Sequence, residues 1–388
     1  MNKREGKVLI AGGGPAGASL AIRLAAAGRD VVFVERDRFP RHKLCGEFIS
    51  PECFGHFAEL GVLEPMLAAG GERITETLFF PLSGRTVRIP GRAFGEPALG
   101  LSRSAMDSIL LERARTAGVE VIEGAAVASA RVEQGEMRAV DIRTGEGTRE
   151  IAADIFIDAT GRGKAMVKAF HRAAGTGSER PARRSNGFVA FKAHLREAEL
   201  AAGRCEIHFF PGGYGGINRV EGGAVNHCFL VRSEAVKGVG GRVEDVLEKL
   251  VYKNASARNA LADSRPEMDW MAVSFEGFGR SELSYGPRLF AVGDAASFID
   301  PFTGSGMLMA LESSAVLAEA LATPGDLSQV YSGLYSRRFR RRLFVCSLLR
   351  NAAFRTRSAA LVSAALGGLP FAAEALARLT RPQASPAR

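Results

Sequence analysis

The chain has 388 residues, 46% of them hydrophobic and 24% charged, with 45 glycines. This is the composition of a globular protein with ample core, and it excludes a disordered or collagen-like chain. Five cysteines at irregular spacing, with no CxxC pair, argue against a disulfide framework or a zinc site and fit a reducing cytoplasm.

The formal net charge is +9, but it is unevenly spread. From Arg337 onward there are eleven arginines and one acid, Glu374, so this stretch carries +10 and the rest of the chain about −1. The basic balance is therefore a local property of the C-terminal region. No nucleic-acid-binding motif accompanies it.

The opening run, MNKREGKVLI, reads as a first strand over Val8–Ala11 rather than as a signal peptide. Gly12-Gly13-Gly14-Pro15-Ala16-Gly17 follows, then a helical stretch with Ala18, Leu20, Ala21, Leu24 and Ala25 on one face. Gly28 ends that helix, and Val31–Val34 forms a second buried strand closing on Glu35. A G-x-G-x-x-G in this strand–turn–helix–strand context points to a dinucleotide. Gly12 permits the tight turn, Gly14 lets a pyrophosphate approach, Gly17 lets the helix pack closely, and Glu35 holds a ribose diol. This unit alone does not separate NAD from FAD.

The next stretch, HKLCGEFISPE at 42–52, sets a thiol beside a carboxylate. Cys45 is read either as a small packed hydrophobe or as a reactive-site residue, and Glu47 either as a charge at a helix start or as an acid–base group. Further on, GLSRSAMD places Arg103 four residues before Asp107 at a helix start, an unfavourable place for a cation unless it has a ligand. ADIFIDATG ends a strand on Asp158, which suits a turn or a cofactor equally.

Residues 183–280 carry β-rich runs separated by glycines, predicting an antiparallel sheet with one amphipathic helix at RVEDVLEKLVYKN. Gly212–Gly216 is expected to lie between strands, so no second dinucleotide unit is foreseen. Near the end, RLFAVGDAASFIDPFTGSGM reads as a strand over Leu289–Val292, then Gly293-Asp294, a proline loop, and an apolar helix starting near Thr303. Two nucleotide-type elements nearly 280 residues apart suggest one long cofactor held from both ends of the chain. The apolar run at 359–373, broken by Gly367-Gly368-Leu369-Pro370, is short for a transmembrane helix. Its basic flanks suit either a helix packed on the body or an interfacial helix drawn to anionic lipid.

In combination these motifs resemble the FAD-dependent oxidoreductases of the geranylgeranyl reductase and aromatic hydroxylase superfamily, over roughly residues 5–325. The resemblance implies an α/β fold with a discontinuous Rossmann-like FAD-binding domain of the glutathione-reductase type (1–182 and 281–330). It also implies an inserted antiparallel substrate-binding sheet (183–280) and a basic helical C-terminal region (331–388). The implied cofactor contacts are Gly12, Gly14, Pro15, Ala16, Gly17, Glu35, Arg36, Cys45, Gly46, Arg103, Val127, Asp294, Pro301, Gly304, Ser305, Gly306 and Met307.

Lys43-Leu44-Cys45-Gly46 is similar to the reductase branch's K-x-C-G-G element, which places Cys45 near the flavin. Glu47 departs from that pattern's glycine, and an acid–base role for it rests on its chemistry alone. The leading expectation is a reductase that adds hydride from flavin N5 to a C=C bond of an apolar isoprenoid, lipid or polyketide-derived substrate. The alternatives are an aromatic monooxygenase using a flavin C4a-hydroperoxide, a flavin halogenase, and a non-catalytic FAD-binding protein. Halogenases carry a Trp-x-Trp-x-Ile-Pro motif absent here, where Trp270 is the only tryptophan. The expected electron source is NAD(P)H or another reduced donor bound transiently. The expected location is the cytoplasm, with peripheral membrane contact as the variant reading.

Overall fold

The computed structural model describes residues 6–83, 85–91, 96–176, 187–298 and 304–353, without side chains beyond 343. Four apolar runs and one more amphipathic strand assemble into a parallel five-stranded sheet. Its order is Leu289–Ala291, Ile155–Asp158, Lys7–Ala11, Asp30–Glu35 and Glu120–Glu123. The central strands are apolar between their ends because both faces are covered. Helix Pro15–Ala26 follows the first strand directly. The turn between them admits only glycine at two points. A Cβ at Gly12 (φ 113°) would sit 2.2 Å from the Ala159 carbonyl oxygen, and one at Gly17 would sit 2.0 Å from the Gly12 oxygen.

The two ends of the chain meet at this turn. Gly293 adopts φ 60°, and a Cβ there would fall 2.8 Å from the Ala16 methyl group. Helix Gly306–Ala322 packs on Pro15–Ala26, with Ser19 Oγ and Ser314 Oγ 2.7 Å apart, while Ser313 Oγ accepts from the Gly293 amide at 2.9 Å.

A second sheet has eight strands. Phe188–Arg196, Val225–Arg232, Gly213–Arg219 and Arg204–Phe210 form its antiparallel centre. Glu76–Phe80 adds to Arg204–Phe210 in parallel, and Val87–Pro90 extends the edge. The sheet is thus not confined to 183–280, because two of its strands come from the first hundred residues. Gly213, Gly215 and Gly216 lie inside a strand rather than between strands. A Cβ at Gly215 would strike the Phe229 Cβ at 2.5 Å, so the glycine serves close cross-strand packing.

The two faces of this sheet differ. One is covered by helices Ser233–Gly238, Val243–Lys249 and Ala255–Leu261, which bury Phe191, Phe210, Phe229 and Val231. The amphipathic segment expected at 242–254 is this middle helix followed by a single 3-10 turn at Val251–Lys253. The opposite face, carrying Ala190, Lys192, His194, Asn226, Cys228 and Leu230, turns toward residues 42–47.

The C-terminal region does not begin as a separate tail. Helix Leu327–Ala353 buries Tyr331, Tyr335 and Phe339 completely on the body, and Tyr331 donates to the Ala291 carbonyl at 2.8 Å. Arg342 is buried and pairs with the buried Glu312, which Arg338 also approaches at 3.4 Å. These arginines serve packing rather than a lipid surface. The segment expected at the membrane interface, 359–373, lies outside the described residues. Among those described, no helix is long and apolar enough to cross a membrane. Phe339→Ala should cost about 3–5 kcal/mol in chemical denaturation, because the emptied site is enclosed by helix and body.

Candidate flavin and substrate site

The glycine turn, the late Gly293-Asp294 turn and the 42–47 strap converge on one region. Glu35 is buried and accepts from the Gly13 amide and, at 3.0 Å, from the Asp37 amide, which places its carboxylate beside the turn as expected. Arg103 opens helix Arg103–Thr116 and pairs twice with buried Asp107, at 2.9 and 2.7 Å. Its Nη2 stands 3.5 Å from where a Gly14 Cβ would be. Burial opposes the Arg103 charge, but Asp107 more than offsets it and raises the pKa. Arg41, which no motif signalled, bridges the same groups by donating to Asp107 at 2.6 Å and to the Gly13 carbonyl at 2.9 Å.

The remaining expected contacts divide. Pro15, Ala16 and Gly17 form the buried start of the first helix, and Ser305 and Met307 are buried at the start of the late one. Gly304 adopts φ 62° with Phe48 at 3.4 Å from its Cβ position. Burial raises the Asp294 pKa, while Arg162 and Arg103 pull it back. Val127 is half-buried against the core on strand Ala126–Glu133. Arg36 is 69% exposed with its Nε 3.5 Å from Asp37, so it is not drawn into the cluster. Pro301 lies outside the described residues. Asp158 serves the fold. It accepts from Thr160 N at 2.9 Å, Thr160 Oγ1 at 2.6 Å and Val167 N at 2.9 Å, which ties the strand end to the next helix.

The residues fit FAD. Among the described residues, a Cβ at Gly14 would meet only the Arg103 guanidinium, and one at Gly46 or Gly306 would meet no atom within 4 Å. These glycines border open space where a cofactor requires it, with Glu35 for a ribose and a helix N-terminus for negative charge.

Glu47 holds the strap. It is completely buried and takes the left-handed conformation, φ 53°, which costs a non-glycine residue energy. Its Oε1 accepts from Lys192 Nζ at 2.6 Å and from the Arg103 amide at 2.8 Å, and its Oε2 contacts His194 Nε2 at 2.6 Å. Burial pushes the carboxyl up, yet His194, Lys192 and the Arg103 amide outweigh it and hold the pKa below its usual value. The large sheet also grips the strap backbone. Lys192 donates to the Lys43 carbonyl at 3.2 Å, Asn226 to those of Cys45 and Gly46 at 3.2 and 2.9 Å, and Asn218 to that of Glu47 at 3.3 Å. Glu47 is therefore a buried positioning group whose charge meets the start of helix Arg103–Thr116 rather than that of Glu52–Glu59, the helix that follows it in sequence.

Cys45 is half-buried, and its sulfur accepts from the Glu47 amide at 3.4 Å. Desolvation raises the thiol pKa; Arg103 and the Glu47 amide partly oppose the shift, and the Glu47 carboxylate adds to it. Beside it Leu44 packs against an apolar wall of Ala190, Tyr214 and Leu230, with Ile207 and Phe209. Sequence reasoning missed Lys192, His194, Asn218 and Asn226. The available signal was a lysine and a histidine two apart within the otherwise apolar FVAFKAHL, hence on one sheet face.

Glu47→Ala should destabilise the protein by about 3–5 kcal/mol in denaturant titration, since Lys192 and His194 lose the carboxylate that neutralises them in the interior. Glu47→Gln keeps the shape and should cost less.

Comparison with known proteins agrees with this geometry. The chain is 28% identical over 324 residues to digeranylgeranylglycerophospholipid reductase 2 of Methanopyrus kandleri, covering 82% of this chain and 77% of that one. It is 26% identical to the menaquinone reductase of Mycolicibacterium smegmatis, over 88% and 82% of the two chains. The structure of a flavin-dependent brominase superposes with a TM-score of 0.81 at 18% identity, covering 96% of this chain and 92% of that one, which shows a shared fold. A protein-family profile described as a FAD binding domain matches residues 5–348. The chain thus belongs to the FAD binding domain family and is an enzyme of the flavoprotein oxidoreductase kind.

Proposed function

We propose that this protein is a FAD-dependent reductase of a carbon–carbon double bond in an apolar, isoprenoid-like or other lipidic substrate. The observation that carries the reading is the apolar wall of Ala190, Tyr214 and Leu230, against which the strap sets Leu44 beside Cys45. Such a wall offers a hydrocarbon chain burial at about 25 cal/mol per Å² and offers little to a polar ring. The names of the two reductase relatives point the same way.

FAD, when bound, supplies the hydride. The chain's own residues bind and orient. Arg103, Asp107 and Arg41 brace the glycine turn; Glu47 and the two asparagines hold the strap at a set distance from the sheet; the apolar wall excludes water from the reacting carbons. Cys45, with its thiol kept protonated, serves as a neutral group between the main core and that wall.

The second reading, an oxygen-using halogenase or hydroxylase, draws on the brominase-like fold. Trp270 gives it no support: the ring packs against His227 and Phe229 on the helix-covered face, away from the strap. Anaerobically reduced protein mixed with a long polyprenyl alkene should be reoxidised, with the saturated product recovered by mass spectrometry. Reoxidation by oxygen alone, accompanied by hydroxylation or halogenation of an aromatic compound, would replace this reading with the second.

Two results are expected at Cys45. Cys45→Ser should retain FAD and lower kcat/KM by about tenfold, equivalent to about 1.4 kcal/mol. Because the thiol pKa is raised, its thiolate fraction at pH 7 is below that of an ordinary cysteine. Alkylation of Cys45 by iodoacetamide should therefore be slow at pH 7 and still rising above pH 9, as followed by mass spectrometry.

A further inference from the structure

We propose that Lys192 is the catalytic proton donor that completes double-bond reduction, a role that rests on the reductase reading above. Lys192 lies at the middle of strand Phe188–Arg196, paired across the sheet with Cys228, on the face that meets the strap. Ala190, two residues before it and on the same face, belongs to the apolar wall. Lys192 thus adjoins the apolar wall on one sheet face, and it is completely buried.

An ammonium group has three N–H bonds. One reaches Glu47 Oε1 at 2.6 Å and one the Lys43 carbonyl at 3.2 Å. The third has no partner among the described residues. A buried donor left unpaired is costly, a penalty that a bound molecule can relieve.

The neighbouring groups are poorer donors. Glu47 is held ionised, with both oxygens engaged. The Cys45 and Cys228 thiols, which face Lys192, are both pushed up by burial and hold their protons. His194 points its Nε2 at Glu47, and His42 stands edge-on to the His194 ring at 5.2 Å on the exposed side. Arg103 is committed to Asp107. Lys192 alone in this group combines a positive charge, a spare N–H and a place beside the apolar wall.

Hydride adds to one alkene carbon, and the π electron pair moves to the neighbouring carbon. That carbon forms a C–H bond with a proton from Lys192 Nζ as the N–H bond breaks. The substrate gains two hydrogens, and a neutral amine is left beside the Glu47 carboxylate. After product leaves, the amine takes a proton from water.

The test uses full-length, FAD-loaded protein, reduced anaerobically and mixed with a long polyprenyl alkene in H2O and in D2O. Lys192→Met is compared with wild type, and Lys192→Met/Glu47→Gln with both wild type and Glu47→Gln, so that the double variant removes both charges of the buried pair. Substrate binding is read separately from the perturbation of FAD absorbance. Wild type should show a solvent isotope effect on reoxidation by the alkene. Both Lys192 variants should keep FAD and bind the alkene within about threefold of their references, yet react about 100-fold more slowly or worse, as removal of a general acid requires. A double variant that reacts as fast as Glu47→Gln, or whose loss of rate is matched by loss of binding, overturns the proposal and leaves the reductase reading standing. Wild-type protein that binds the alkene but does not reduce it overturns both.

Discussion

A single buried carboxylate joins the two halves of this protein. Glu47 has no exposure to water, and it survives as an anion because a lysine, a histidine and a backbone amide converge on it. A buried charge without such partners would neutralise or destabilise the fold. Here the partners come from different elements: Lys192 and His194 from the large sheet, the Arg103 amide from the start of a helix in the nucleotide-binding half. Satisfying the charge therefore fixes the sheet, the strap and that helix relative to one another. The left-handed backbone at Glu47 is sustained by the same over-determination.

From that anchor the site follows. The strap carries Leu44, Cys45 and Gly46 between an apolar wall on one side and the glycine turn on the other. Arg103 acts at both ends, since its amide belongs to the Glu47 cluster and its guanidinium is locked by Asp107 above the turn. The glycine turn and the apolar wall are thus coupled through one residue. Arg41 adds a second brace from Asp107 to Gly13.

The cradle itself is closed by contact between the ends of the chain. Gly293 lies against Ala16, Ser19 and Ser314 join the two helices, and Ser313 ties the late helix to Gly293. The helix from Leu327 then packs on the late helix and the adjoining strand through Tyr331, Tyr335, Phe339 and the Arg342–Glu312 ion pair. Part of the basic excess near the C-terminus is thereby absorbed by the fold.

Local spacing was sufficient to read the strand–turn–helix–strand unit, the acid that closes its second strand and the late Gly-Asp turn, because each depends on the backbone freedom of glycine and on short-range periodicity. The antiparallel character of 188–232 was legible for the same reason. Spacing could not reveal that strands 76–80 and 87–90 join that sheet, since strand pairing is a long-range choice made by whichever edge is free. Nor could it show that Glu47, Lys192 and His194 meet across about 145 residues. The chain by itself determined that there is a nucleotide cradle and a separate β-rich wall. Tertiary packing alone decided which charges are buried together between them, because the energy of a charge depends on what surrounds it in space and not on its neighbours in sequence.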